Sequence, residues 1–323
     1  MSQRGIPVCV LLMLLLSRWC FALPPSYPVK AVRVVVPAAT GGATDVVARL
    51  MCSALTHSMG YPFVVDNRAG AGGMLGTDIV AKSAPDGHSL LFAYAGHTVL
   101  PFLYKKVPYD VKRDFIPITL VASQALLLVT TPQWKVNRVD ELVGLLKARP
   151  GQWNAALPTT TGAAALAMEM FRLATHTQFT SVAFKGGAPA LAALLSGDVQ
   201  LLFTTPPVAI PFLRSEKLTV LATSSAKRLN YLPEVATLIE SGLVDFEVEP
   251  WQGILAPTGT PNQIIERIQF EVHALLQLSA IRDRLKGMGS DPVGSSSAEF
   301  NRKIKIELEQ NQKLIHLLGL TLD

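Results

Sequence analysis

Two glycine-rich turns carry the residues of this chain best suited to holding a ligand. The first lies in Val34-Val35-Val36-Pro37-Ala38-Ala39-Thr40-Gly41-Gly42-Ala43-Thr44-Asp45, where an apolar β-branched stretch runs through a turn into a helical pattern. The first backbone N–H groups of such a helix lack intrahelical acceptors and sit at the positive end of its dipole. Gly41 and Gly42 would let an anionic oxygen approach the main chain closely, which makes the turn a candidate carboxylate cradle over Thr40, Gly41, Gly42, Ala43, Thr44 and Asp45. Thr44 or Asp45 acting only as a helix cap explains the same residues equally well. The second turn, Asp66-Asn67-Arg68-Ala69-Gly70-Ala71-Gly72-Gly73-Met74-Leu75-Gly76-Thr77, also joins a strand to a helix and offers Ala71, Gly72 and Gly73. It lacks the dinucleotide spacing, because Gly-x-Gly-x-x-Gly counted from Gly70 meets Leu75 where glycine is required. Two anion-competent turns on successive strands would lie side by side at the carboxyl edge of one sheet, where open α/β sheets bind ligands.

Side chains able to run a reaction are sparse. The 6 histidines, His57, His88, His97, His176, His273 and His316, show no metal-ligand spacing with one another or with Cys52, and no Gly-x-Ser-x-Gly elbow occurs. No catalytic residue, metal or cofactor is therefore assigned. His97 follows a strand and is read as a loop residue that donates to a ligand or merely meets solvent. Lys185, before Gly186-Gly187, either pairs with a second carboxylate or is a solvated turn residue. Asp45 either accepts from a ligand ammonium or favours the helix start electrostatically. Trp251 either packs at a hinge, the preferred reading, or lines a cleft. Cys52 sits between Met51 and Leu55 in a helical pattern and reads as packing.

The elements that position these residues alternate. Runs at 32–36, 63–66, 90–93, 125–130, 179–183, 199–203 and 218–222 have the β-branched, apolar character of strands, with helical patterns such as 44–59 between them. Their few polar interruptions suit a sheet covered on both faces, so the fold class is α/β. Thr260-Pro261 reads as a cap and first-turn proline for a helix with Ile264, Ile265, Ile268, Val272 and Leu276 on one stripe. Ser296 with Glu299 reads as a capping box for a terminal helix with Phe300, Ile304, Leu308 and Ile315 on its buried face. A chain of 323 residues exceeds the size at which one core keeps growing, so two domains are expected.

At the N-terminus, Arg4 precedes an apolar run over 6–16 and then Ser17-Arg18-Trp19-Cys20-Phe21-Ala22. The run falls short of the about 20 residues a spanning helix needs, so residues 1–22 read as a signal peptide cleaved after Ala22, with export to the periplasm. Ser17-Arg18-Trp19 lacks the small residues that lipid attachment at Cys20 requires. Cleavage leaves Cys52 as the only thiol and a small excess of scattered basic residues. That pattern has no nucleic-acid footprint.

The chain resembles the Bug-type receptors of the tripartite tricarboxylate transporter family. The likeness is carried by Tyr27-Pro28, the two glycine turns, Ala84-Pro85-Asp86-Gly87, Leu103-Tyr104-Lys105-Lys106-Val107-Pro108-Tyr109-Asp110, Asp114-Phe115, Lys185-Gly186-Gly187-Ala188-Pro189-Ala190, Gly197-Asp198-Val199 and Trp251-Gln252-Gly253-Ile254-Leu255-Ala256-Pro257. It departs at Ala38, Thr40, Phe184, Leu100 and in the 159–162 loop. The resemblance implies two Rossmann-like lobes joined by crossover strands, of the type II periplasmic binding protein kind. Lobe 1 is expected over 23–124 and 226–323, and lobe 2 over 125–225. A small carboxylate would be held between them by amides, hydroxyls and ordered waters, with lobe 2 contributing Thr160, Thr161 and Gly162 of Thr159-Thr160-Thr161-Gly162, and Thr204-Thr205. The implied protein is a monomeric receptor that serves a tripartite tricarboxylate-type permease. A sensor would present the same ligand to a signalling partner instead, and an exported enzyme would turn it over.

Overall fold

The computed structural model describes residues 27–158, 162–184, 186–244 and 246–318. The expected signal peptide over 1–22 lies outside them, as do Thr160, Thr161 and Lys185.

From its N-terminal end the described chain builds β1 (Val32–Val36), α1 (Ala43–Met59), β2 (Phe63–Asn67), α2 (Met74–Ala81), β3 (Ser89–Tyr94), α3 (Gly96–Leu103) and β4 (Phe115–Ser123). A second unit follows with β5 (Leu127–Thr130), α4 (Val139–Ala148), β6 (Asn154–Leu157), α5 (Ala163–Thr175), β7 (Thr180–Ala183), α6 (Gly187–Ser196), β8 (Leu201–Thr204), α7 (Pro206–Leu213) and β9 (Thr219–Thr223). The chain then returns for β10 (Trp251–Pro257), α8 (Asn262–Gln277), α9 (Ser279–Gly287), β11 (Asp291–Pro292) and α10 (Ser297–Leu318).

The first sheet runs β11-β4-β10-β3-β1-β2 and the second β7-β6-β8-β5-β9. In the first, β1 lies parallel to β2 and β3, while β10 runs antiparallel between β3 and β4. In the second, β6 is parallel to β7 and β8, and β5 is antiparallel to β8 and β9. Each sheet has apolar layers on both faces, as the unbroken strands require. Val34, Phe92 and Ile118 face Met51, Leu55 and Ile268 on one side of the first sheet, and Leu91 and Trp251 face Phe300 and Leu308 on the other. Leu128, Phe171 and Phe203 fill one side of the second sheet, and Val129, Leu191 and Leu202 the other. The architecture is thus α/β with two lobes.

Local signals explain the helix limits. α1 buries Val47, Met51, Leu55 and Met59, and it stops at Gly60, whose positive φ of 74° lets its N–H reach the Thr56 carbonyl at 3.1 Å. Cys52 faces the same core, and burial pushes its thiol up to about 12. The capping box of α10 forms as read: the Ser296 N–H donates to Glu299 at 2.8 Å and the Glu299 N–H to Ser296 Oγ at 3.2 Å. At α8 the expectation needs correcting. The helix starts at Asn262, and Thr260 turns its hydroxyl back to the Pro257 carbonyl at 2.8 Å instead of capping.

Two crossings link the lobes. The Gln124 N–H donates to the Pro250 carbonyl at 2.7 Å, where outgoing and returning strands pass each other. Ser224 ties them one step deeper. Its hydroxyl receives the Leu126 N–H at 2.9 Å and donates to Val248, and its carbonyl accepts the Val248 N–H at 3.1 Å. The expected return to lobe 1 at residue 226 is too early. Leu229 packs in one core of the second sheet, and Leu238, Phe246 and Val248 pack in the other, so the chain rejoins the first sheet only at Pro250 and Trp251.

Candidate functional site

A cleft of about 730 Å³ opens between the lobes. On the first-lobe side it meets the start of α1. Gly42 precedes this helix in extended conformation (φ −73°, ψ 164°), and no side chain caps it. The first-turn amides are therefore unsatisfied from within the helix, and Ala43 and Thr44 line the cleft. Gly41 (φ 83°) gives its N–H to Asp45 Oδ2 at 2.8 Å, and the Gly42 N–H points to Ala39 O at 3.4 Å.

Asp45 is only 1% exposed and accepts also from Arg49 Nε at 3.0 Å and Asn67 Nδ2 at 2.9 Å. Burial pushes its carboxyl up, but Arg49, the Gly41 amide and Asn67 outweigh burial and hold it below its ordinary value. Asp45 thus shapes the turn from behind. Neither it nor Thr40, Gly41 or Gly42 lines the cleft.

The second glycine turn has four successive residues with positive φ, Gly70, Ala71, Gly72 and Gly73. At Gly72 (φ 67°) a Cβ would also stand 2.8 Å from Leu100 Cδ2, so glycine is needed there twice over. The Tyr94 hydroxyl donates to the Gly72 carbonyl and fixes the turn. Gly72 lines the cleft, whereas Ala71 and Gly73 do not.

His97 departs from the loop reading. It lies in α3, is 3% exposed, and packs between Tyr109 and Phe115 with ring centroids 6.1 and 5.1 Å away. Both ring nitrogens lack a hydrogen-bond partner. The ring adjoins a small space shared with Pro37, Gly73 and Thr77, behind the wall that Gly72 and Leu100 present to the cleft. Burial lowers its pKa from 6.5 to about 4, so it is neutral at pH 7.

The second lobe answers with the start of α5. Gly162 (φ 135°, ψ 175°) precedes it, again without a side-chain cap, and Gly162 and Ala163 line the cleft. Thr204 is buried at the end of β8 and Thr205 precedes α7, and neither reaches the cleft.

Apart from Trp251, the remaining wall was not anticipated from the sequence. It comes from the returning crossing, through Glu249, Trp251 and Gln252, and from α10, through Glu307, Asn311 and Leu314. Trp251 therefore stands at the hinge and in the cleft at once. Its indole N–H donates to Glu307 Oε2 at 2.9 Å, the Thr98 hydroxyl donates to the same oxygen at 2.9 Å, and Lys303 lies 3.3 Å from Oε1. Burial pushes the Glu307 carboxyl up against these donors. Burial pushes Lys303 down, but Glu307, Glu247 and Glu249 outweigh it and hold the ammonium above its ordinary value. One signal was available, since Glu307, Gln310, Asn311 and Leu314 recur at helical spacing and flank the apolar stripe of α10.

The arrangement offers main-chain donors at two helix starts, one from each lobe, on a single cleft. Among the described residues no group of three or more His, Cys, Asp or Glu is placed to hold a metal.

Residues 47–320 match the family described as the tripartite tricarboxylate transporter family receptor, TctC. Protein BugT of Bordetella pertussis is 35% identical over 291 residues, which is 88% of this chain and 88% of that protein. An R. palustris structure with adipate superposes with a TM-score of 0.76 at 30% identity, covering 92% of this chain and 100% of that one. MatC from Rhodopseudomonas palustris with bound malate superposes at 0.72 and 30% identity, covering 90% and 100%.

Proposed function

The chain belongs to the tripartite tricarboxylate transporter receptor family, and from that premise we propose that it is a periplasmic receptor that closes its two lobes on a small carboxylated metabolite and hands it to a permease of the same system. The observation that carries this reading is the pair of uncapped helix starts, α1 at Ala43 and Thr44 and α5 at Gly162 and Ala163, facing one cleft from opposite lobes. Each presents free amides at a positive dipole end, and a carboxylate that accepts from both is bound best when the lobes are together. Binding then shifts a hinge equilibrium toward the closed form by the difference in affinity between the two forms. Adipate and malate in the two related structures are ligands of this chemical kind. Residues 1–22 serve as the export signal. Among the described residues no helix is long and apolar enough to cross a membrane.

The test is native mass spectrometry of the protein purified from the periplasm, followed by thermal-shift screening of carboxylic acids and small-angle scattering with the best of them. A carried-over or stabilising carboxylate that also reduces the radius of gyration is expected. Stabilisation only by metabolites that lack a carboxylate refutes the reading. Intact mass beginning at residue 23 verifies the cleavage site.

A further inference from the structure

The two lobes also meet outside the cleft. Gly289, in the turn that ends α9, lies against Pro207 in the first turn of α7, and a Cβ built on Gly289 would stand 2.3 Å from both Cγ and Cδ of the proline ring. Close by, Tyr231 of lobe 2 lies near enough to Asp291 of β11 for that carboxylate to reinforce burial in raising the phenol. None of these four residues lines the cleft.

Strand order places this contact on the far side of the hinge. In the first sheet β4 and β10 carry the crossings. β1, which leads into the α1 helix start, lies to one side of them, and β11, next to Gly289, lies to the other. In lobe 2 the cleft-lining α5 packs through Phe171 on one face of the sheet, and α7 packs through Ala209 on the opposite face. A hinge rotation that narrows the cleft therefore parts the turn from Pro207, and one that widens the cleft drives them together.

Neither side of the contact yields easily. The turn is closed by the Gly289 N–H on the Lys286 carbonyl at 2.8 Å and the Ser290 N–H on the Leu285 carbonyl at 2.9 Å. Gln124, on the outgoing crossing, holds the turn from within, its Nε2 donating to Ser290 Oγ at 2.7 Å and to the Met288 carbonyl at 3.3 Å. Opposite, the ring of Pro207 is tied to its own backbone and cannot swing away. The Val208 and Ala209 N–H groups seat its helix on the Thr205 carbonyl at 3.1 and 3.2 Å. The turn and the ring are in contact while the cleft holds about 730 Å³, more than one small carboxylated metabolite fills.

We propose that the Gly289 turn and Pro207 form a stop behind the hinge, which limits opening and thereby sets how much of the ligand-free protein is poised to close. The inference goes beyond the receptor reading and takes from it only the premise that closure accompanies binding. Apparent affinity scales with the binding-competent fraction of the free protein, so this contact tunes affinity without touching the ligand. Gly289→Ala lengthens the stop, because its Cβ is accommodated when the lobes rotate toward closure. Pro207→Ala shortens it by removing ring Cγ and Cδ.

The test compares wild type, each single variant and the double variant by small-angle scattering of the ligand-free mature protein. Calorimetric titration with adipate, malate and any carboxylic acid that stabilises the protein measures affinity. Gly289→Ala is expected to reduce the radius of gyration and to bind about threefold tighter or better, which a merely destabilising change does not do. Pro207→Ala, which only removes atoms, is expected to increase the radius and weaken binding. Gly289→Ala also strains a positive φ of 68°. The double variant keeps that strain without the proline ring, and it should lose most of the shift toward closure. An unchanged radius in both single variants, an increased radius in Gly289→Ala, or an equal shift with and without the ring overturns the inference and leaves the receptor reading standing. If no carboxylic acid binds the wild type, the receptor reading fails, and the scattering series decides the stop without it.

Discussion

Acid should destabilise the protein through one buried ring. His97 titrates at about 4 in the folded chain, against an ordinary value of 6.5, because its surroundings exclude water and provide no acceptor for a charged imidazolium. The unfolded chain therefore binds more protons than the folded one between these values, and stability falls as pH drops through 6.5 toward 4. The shift corresponds to about 3 kcal/mol when complete, of which about 2 kcal/mol is lost between pH 7 and pH 5. Glu307, Glu249 and Asp291 act in the opposite sense, since burial raises their carboxyls and acid relieves the cost of charging them. A difference measurement isolates the histidine. His97→Phe keeps an aromatic ring against Tyr109 and Phe115 and removes two unpartnered nitrogens. Urea unfolding of both proteins at pH 7 and pH 5 should show the wild type losing about 2 kcal/mol more than the variant on acidification. Parallel losses would refute the argument, because they would mean that the ring takes up its proton equally well folded and unfolded.

Gly253→Ala places a Cβ 2.4 Å from Phe300 Cζ and 3.1 Å from the Thr119 carbonyl; it should cost about 1–3 kcal/mol as overpacking and weaken ligand binding, because Phe300 anchors the helix that carries Glu307. Calorimetric unfolding and titration with the best ligand check both effects. Gly72→Ala combines a φ of 67° with a 2.8 Å contact to Leu100, so it should lose about 1–3 kcal/mol of stability and most ligand affinity; unchanged affinity would remove that turn from the site. Cys52, with its thiol pushed up to about 12 and only 3% exposed, should resist a thiol-specific reagent at pH 8 until denaturant is added, and rapid labelling of the native protein would contradict its placement.

Most of the strand pattern was legible because a strand buried on both faces writes a largely apolar run, as in Val34–Val36 and Leu90–Ala93. The strands that escaped notice break that rule for local reasons. Phe115–Ser123 contains Pro117, which has no N–H to give a ladder and reads as a break. Asn154–Leu157 has no β-branched residue and is a strand only because β7 and β8 flank it. The lobe boundary at 226 failed for a different reason. Among the described residues between Thr223 and Trp251 no named strand or helix forms, so no period shows which core Leu238 and Phe246 will enter.

The candidate site divides along the same line. A main-chain cradle is made by consecutive residues, so the strand, glycine turn and helix start at 32–44 announce it locally, as Gly162-Ala163 does in the other lobe. At Asp45 the same locality left ligand contact and support of the helix start both open, and Arg49 and Asn67 occupy its carboxylate. The opposing wall brings Thr98, the Glu249–Gln252 segment and Glu307 together from three regions of the chain, and no spacing rule links those regions. Their meeting depends on where the crossing strand re-enters the first sheet and on how α10 docks against α3 through Thr98 and Asn311, 3.2 Å from Asn311 Nδ2 to the Thr98 carbonyl. On the proposed reading, affinity for a carboxylate is written in two short stretches of sequence. The choice among carboxylates would then fall to side chains that only the tertiary fold brings into register, so the return crossing and α10, rather than the glycine turns, are where substitution should change what the protein binds.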